Sequence, residues 1–257
     1  MDKFTNIIET FVNKMGYLNN EQLEGIIFYG SNQTGFSNSY SDLDLHIIFS
    51  NDLEQEVRGS ILIDNIRIEY FEKSLKSMYD KSLNEFKNQG NAVVSMIVFG
   101  NVIVDINGNI AKLQDYISQL YSLPMPSIDI ETAKEQIAII NNFFDDLINL
   151  ISINDIYSTH IFHLTLERIK DFYFSYNALP GVSRTKALKV MQNDDYRNAI
   201  KKEKPPQEFI ELYLKCLDEK LSIRERLPIL CELFKYSTND INFDKNNHRI
   251  ILNKKKQ

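Results

Sequence analysis

Tyr29-Gly30-Ser31, ten residues, then Asp42-Leu43-Asp44-Leu45 is the stretch on which the fold turns. It continues the apolar run Gly25-Ile26-Ile27-Phe28-Tyr29 and leads into Leu43-Asp44-Leu45-His46-Ile47-Ile48-Phe49. Two short runs of β-branched and aromatic residues, separated by a polar loop bearing Gly and Ser, predict neighbouring strands. Side chains alternate along a strand, so Asp42, Asp44 and His46 share one surface while Leu43, Leu45 and Ile47 face a core. A strand that ends in Gly-Ser leaves a small turn where a phosphate can approach backbone N–H groups beside a hydroxyl donor. Gly30 and Ser31 are therefore the candidates to hold a triphosphate.

Upstream, Phe4, Ile7, Ile8, Phe11 and Met15 recur at spacings of three and four, which predicts an amphipathic helix that stops at Gly16 and packs on the sheet. Downstream, Ile61-Leu62-Ile63, the turn Asp64-Asn65, and Ile66-Arg67-Ile68-Glu69-Tyr70-Phe71 predict a tight hairpin. In its second arm Ile66, Ile68 and Tyr70 share one face and Arg67 and Glu69 the other, making Glu69 a third carboxylate. A helix over 73–87, a strand over 102–105 before an Asn107-Gly108 turn, and a helix over 110–121 complete the first part.

Three carboxylates within a few ångströms repel one another unless hard divalent cations with a preference for oxygen keep them ionised, and magnesium bridging substrate phosphates fits best. Two such ions about 3.5–4 Å apart lower the pKa of an attacking hydroxyl and neutralise a leaving pyrophosphate. Asp42, Asp44 and Glu69 thus point to nucleotidyl transfer. His46 shares their face and is expected to be a structural, hydrogen-bonded residue.

The remainder of the chain sets bounds. At 257 residues, 43% hydrophobic and 25% charged, it can bury one or two cores and is neither disordered nor collagen-like. The formal net charge of −6 disfavours a dedicated nucleic-acid binder. Cys216 and Cys231 lack the spacing of a zinc site or disulfide framework and read as free, packed thiols. The opening Met1-Asp2-Lys3-Phe4 is unlike a signal peptide and no apolar stretch reaches membrane-spanning length, so a cytoplasmic protein is expected.

The composition changes at Leu123-Pro124-Met125-Pro126, which divides the chain into a domain over 1–125 and a helical domain over 126–257. Helical periodicity over 130–150 and 156–176, on either side of Asn154-Asp155, predicts an antiparallel helical hairpin, and further helices run to about 236. Pro205-Pro206 breaks this region and can open a new helix. His160, His163, Glu167 and Asp171 line one helix side and read as a solvated polar face; bordering a cleft, Glu167 and Asp171 would suit a cationic ligand. Phe172, Tyr173, Phe174 and Tyr176 are expected in the core.

Gly30-Ser31, ten residues, Asp42-Leu43-Asp44 resembles the DNA polymerase beta-like nucleotidyltransferase superfamily. With Ser39-Tyr40-Ser41-Asp42, Ile66-Arg67-Ile68-Glu69-Tyr70-Phe71 and Val104-Asp105-Ile106-Asn107-Gly108, the chain is similar to the lincosamide and kanamycin nucleotidyltransferases, in detail to about Tyr121 and only in architecture beyond. The resemblance implies an α+β protein: an N-terminal nucleotidyltransferase domain, a mixed β-sheet with flanking helices, followed by an all-α helical bundle. It implies that Asp42 and Asp44 ligate magnesium, as two ions in that family's manner, and that Glu69 completes the metal site or acts as general base. Gly30 would permit close approach of the nucleotide, and Ser31 and Ser41 would contact it. The donor would be ATP or another nucleoside triphosphate, the acceptor a small hydroxyl-bearing molecule such as a lincosamide or aminoglycoside antibiotic, and the assembly a homodimer.

One departure is that Asn32-Gln33-Thr34-Gly35-Phe36-Ser37 lacks the basic residue several antibiotic enzymes carry there, so triphosphate charge must be met elsewhere; Arg184 and Lys186 are candidates. Two other functions use the same residues: a protein-modifying nucleotidyltransferase of toxin–antitoxin type, and a non-catalytic nucleotide-binding regulator. A polymerase or tRNA-modifying enzyme ranks last on charge.

Overall fold

The computed structural model describes residues 3–29, 42–88, 90, 92–179, 184–199 and 203–245. The chain forms two compact units, Met1–Pro124 with Asp194–Lys201, and Met125–Asn193 with Lys202–Gln257. The expected division into 1–125 and 126–257 contained no such return of a short segment to the first unit.

In the first unit the elements run α1 (Lys3–Met15), β1 (Leu23–Tyr29), β2 (Leu43–Phe49), β3 (Val57–Ile63), β4 (Ile66–Ser74), α2 (Leu75–Lys87), α3 (Ala92–Val98), β5 (Asn101–Asp105) and α4 (Asn109–Ser122). The strands form one mixed sheet in the order β3-β4-β2-β1-β5. Neighbours are antiparallel except β2 and β4, which run parallel. A parallel pair needs a crossover of a dozen or more residues. Residues 50–65 supply it, and they include the edge strand β3, which turns back into β4.

Alternation sorts the sheet into two faces. Ile26 and Phe28, Leu43, Leu45, Ile47 and Phe49, and Ile68 point to the inner face and pack with Ile7, Ile8, Phe11 and Val12 of α1. As the periodicity required, α1 ends at Gly16, whose φ of 72° is the left-handed conformation that closes a helix. On the outer face Ile27 and Ile48 pack with Met78 of α2, Val94 and Ile97 of α3, and Ile110, Leu113 and Ile117 of α4.

Close packing of α4 depends on Gly25. A Cβ there would lie 2.3 Å from the Val104 carbonyl oxygen and 2.4 Å from Ile110 Cγ1. The helix is fixed at its start by Asp105, whose carboxylate accepts from the backbone N–H of Ile110 at 3.2 Å and of Ala111 at 3.0 Å.

The second unit is helical: α5 (Ile130–Ser152), α6 (Ser158–Tyr176), α7 (Arg184–Gln192), α9 (Gln207–Cys216) and α10 (Ile223–Ser237); α8 (Asp194–Ala199) belongs to the first unit. Helix α5 pairs with α6, and α10 with α6 and α9, around Phe144, Phe162, Phe172, Phe209, Leu230 and Leu233. Phe172, Tyr173 and Phe174 are core, as the sequence indicated, whereas Tyr176 is only partly buried against it. Pro206 stands at the N-cap of α9, and Ser222 opens α10 in a capping box with Glu225. Cys216 is buried, but Cys231 is exposed, which corrects the expectation of two packed thiols.

The face of Glu167 and Asp171 is not a free acidic surface. Lys170, with its side chain 2% exposed, donates to Glu167 at 2.5 Å and lies 3.3 Å from Asp171, and the Tyr213 hydroxyl donates to Glu167 at 2.7 Å. A buried ammonium must be paired, and here the two acids do it.

Substituting Gly25→Ala should destabilise the first unit by about 1–3 kcal/mol, because the methyl group meets backbone on one side and a fixed helix on the other. Urea unfolding of the full chain, followed by circular dichroism, checks this; an unchanged midpoint would contradict the close approach of α4.

Candidate active site

The parallel register of β2 on β4 makes Asp44 the direct partner of Glu69. Leu43 and its partner Ile68 are both buried on the inner face, so Asp44 and Glu69 stand side by side on the outer face. Antiparallel pairing extends the row: Tyr29 of β1 is level with Asp44, and Ser60 of β3 is level with Glu69. Across the sheet the order is therefore Ser60, Glu69, Asp44, Tyr29, and Tyr29 is the residue before Gly30-Ser31.

Asp44 is half-buried and Asp42 lies just before β2 begins. Glu69, with its side chain 22% exposed, accepts a 3.0 Å hydrogen bond from Arg58 Nη2. The carboxylate oxygens on this face are hard donors of the kind magnesium takes, and their chemistry fits that ion. Among the described residues, no three His, Cys, Asp or Glu are gathered in a metal-holding group. Gly30, Ser31 and Ser41 lie outside the described residues. Lys186 is exposed on α7, in the second unit.

Tyr29 is buried at the end of the row. Burial above all, then the neighbouring Tyr196 and Asp44, push its phenol upward, against a hydrogen bond with the Ser95 side chain. Tyr196 is a buried residue of α8, so the returning segment contributes directly to the surroundings of this strand end.

His46 lies one step further along the outer face and is covered. Its ring stacks on Phe71, with centroids 5.2 Å apart, and Nε2 is 3.4 Å from Met96 Sδ. Burial, reinforced by Lys73 and Lys81, pushes its imidazole down to about 3, so it is neutral at physiological pH. Its Nδ1 is buried without a hydrogen-bond partner among the described residues. The expectation of a structural, hydrogen-bonded role is met by Nε2 against Met96 Sδ, with ring packing on Phe71 beside it.

Arg58 was not singled out from the sequence, which placed the first arm of the hairpin at 61–63. The strand begins at Val57, and the Asp64-Asn65 turn has φ of 49° and 62°, the left-handed pair of a two-residue hairpin loop. Counting outward from that turn puts Arg58 level with Phe71, two pairs beyond Glu69 and so on the same face. The signal was present in the turn; the polar Arg58-Gly59-Ser60 concealed the strand.

Residues 8–99 match the family model described as "Nucleotidyltransferase domain". No curated protein matches the chain. Among solved structures, a nucleotidyltransferase-like protein from Exiguobacterium sibiricum 255-15 aligns over 92% of this chain and 74% of its own, at 12% identity and a TM-score of 0.48. The described segment 42–88 with its paired acids falls inside the family match. The N-terminal unit, a mixed sheet with flanking helices, has the fold of a nucleotidyltransferase domain.

Proposed function

We propose that this protein transfers a nucleoside monophosphate, AMP from ATP, to a hydroxyl of a small molecule and releases pyrophosphate. The observation that carries this is the register pair Asp44–Glu69: two carboxylates level with each other on the outer face of a nucleotidyltransferase fold, next to the strand end that precedes Gly30-Ser31.

In this scheme Asp42 and Asp44, with Glu69, would hold magnesium, and Gly30, Ser31 and Ser41 would receive the triphosphate. Magnesium, when bound, supplies charge neutralisation for the phosphates and lowers the pKa of the acceptor hydroxyl. Glu69 takes the proton of that hydroxyl, the new O–P bond forms at the α-phosphorus, and the bond to the β-phosphate oxygen breaks in line. Lys186 is a proposed further contact to the triphosphate.

For the acceptor, the resemblance to the lincosamide and kanamycin enzymes supports an antibiotic hydroxyl. Of the two drug classes the aminoglycosides receive less support, because Glu167 and Asp171, the acids that suited a polycation, are engaged by Lys170 and Tyr213. Among the described residues, no helix is long and apolar enough to cross a membrane.

Pyrophosphate release from ATP with magnesium, run against a panel of hydroxyl acceptors with mass spectrometry of each, tests the scheme. Asp42→Asn and Asp44→Asn should each reduce transfer by at least roughly a hundredfold, equivalent to about 2.7 kcal/mol, while thermal unfolding stays close to wild type. Transfer at the wild-type rate in either variant would remove these acids from the site. Glu69→Gln should lower the rate while leaving magnesium-dependent ATP binding largely in place if its main task is accepting the proton. Equal loss of binding and rate would assign it to the metal instead.

A further inference from the structure

The row Ser60, Glu69, Asp44, Tyr29 has a direction. Under the function proposed above, on which this inference rests, the triphosphate belongs to the motif that follows Tyr29 in the sequence, and Tyr29 is the neighbour of Asp44 on the β1 side. The hydroxyl that Glu69 deprotonates must then approach from the opposite side, over the outer face of β3 and β4.

That face is open on β3 and at Arg67, and half-buried along the rest of β4. Its residues on β3 are Arg58, Ser60 and Leu62, all exposed, and on β4 they are Arg67, Glu69, Phe71 and Lys73. Three of the seven are cations, and the one acid is Glu69. Arg58 is 70% exposed; Nη2 binds Glu69 and the guanidinium sits 5.2 Å from the Phe71 ring centroid, while other N–H groups remain for a ligand. Arg67 is exposed and has no ion pair among the described residues. It is level with Leu62, four residues from Arg58 along β3, about 13 Å at the strand rise, with Ser60 midway. Asp44, the register partner of Glu69, borders this face on the β2 side; Asp64 lies in the turn, and Glu56 is taken by Lys81 and Ser77.

We propose that the outer face of the β3–β4 hairpin binds the acceptor, and that this acceptor carries an anionic group, phosphate or carboxylate, which Arg58 and Arg67 receive beside the reactive hydroxyl. Guanidinium forks match such groups in pairs of hydrogen bonds. Neither a polycationic aminoglycoside nor a lincosamide, which has a basic amine, carries such an anion, so this face favours an acceptor outside both drug classes; an exposed Leu62 and half-buried Phe71 give its body an apolar surface to lie on.

The full chain is titrated by calorimetry at low salt with ribose 5-phosphate, ribose and kanamycin, and separately with ATP and magnesium. Ribose 5-phosphate is expected to bind at least about tenfold more tightly than ribose and more tightly than kanamycin. The double variant R58A/R67A, both positions being exposed, should lose about that factor, R58K should lose part of it because an ammonium lacks the fork, and about 0.5 M salt should erase it. Ribose 5-phosphate binding no tighter than ribose, an affinity unchanged in R58A/R67A, or tighter kanamycin binding would each overturn the proposal. The ATP titration separates the two failures. Magnesium-dependent ATP binding that is lost in D44N, alongside no discrimination among the sugars, overturns the anionic acceptor alone. No ATP binding overturns the nucleotidyl-transfer scheme and with it the acceptor role of this face.

Discussion

The parallel register between β2 and β4 is the constraint on which the first unit depends. It sets Asp44 against Glu69 and, by the same alternation, Leu43 and Leu45 against Ile68 and Tyr70. A slip of one residue would turn the carboxylates of one strand into the α1 core and bring a leucine or isoleucine to the outer face. The inner face is apolar on β1, β2 and β4 and is sealed by Ile7, Ile8 and Phe11, so the hydrophobic effect that folds the sheet also specifies where its acids stand. The acids therefore need no local stabilisation of their own to be aligned; the buried residues between them do it.

The outer face is divided. Helices α2, α3 and α4 cover the part containing Ile27, Ile48 and His46, where apolar packing is dense enough to keep an imidazole neutral. Beyond Asp44 and Glu69 that cover ends, and Ser60, Leu62 and Arg67 are exposed. The boundary between dry and wet regions passes through the acid pair. A carboxylate at such a boundary has a packed backbone behind it and solvent or ligand in front, which is what positioning without full desolvation requires.

Much of this was legible in the sequence because the governing patterns are local. Leu43–Phe49 alternates so cleanly that its bounds and its two faces are read directly, and the Asp64-Asn65 turn fixes the hairpin. Three features were not legible. Helix α3, Ala92–Val98, is seven residues of largely β-branched sequence whose propensity favours a strand; tertiary packing of Val94 and Ile97 overrides it. The first residues of β3 are polar because an edge strand faces water, so they lack the pattern that identifies a strand. The return of α8 to the first unit is a long-range event that no periodicity encodes. The roles of Gly30, Ser31 and Ser41 rest on their place in the motif, and that of Lys186 on its charge.

Net charge shows the same difference between local and global information. A chain at −6 repels anions only at distances over which its charges act together, and at physiological salt that distance is about 8 Å. A ligand on the β3–β4 face is closest to Arg58, Arg67 and Lys73, with Glu69 answered by Arg58 and Asp44 beside it. Total charge therefore bears on long-range steering, whereas the acceptor is selected by the few side chains that one hairpin's register brings to the surface. The register that aligns the acids thus also sets the sign of the surface next to them.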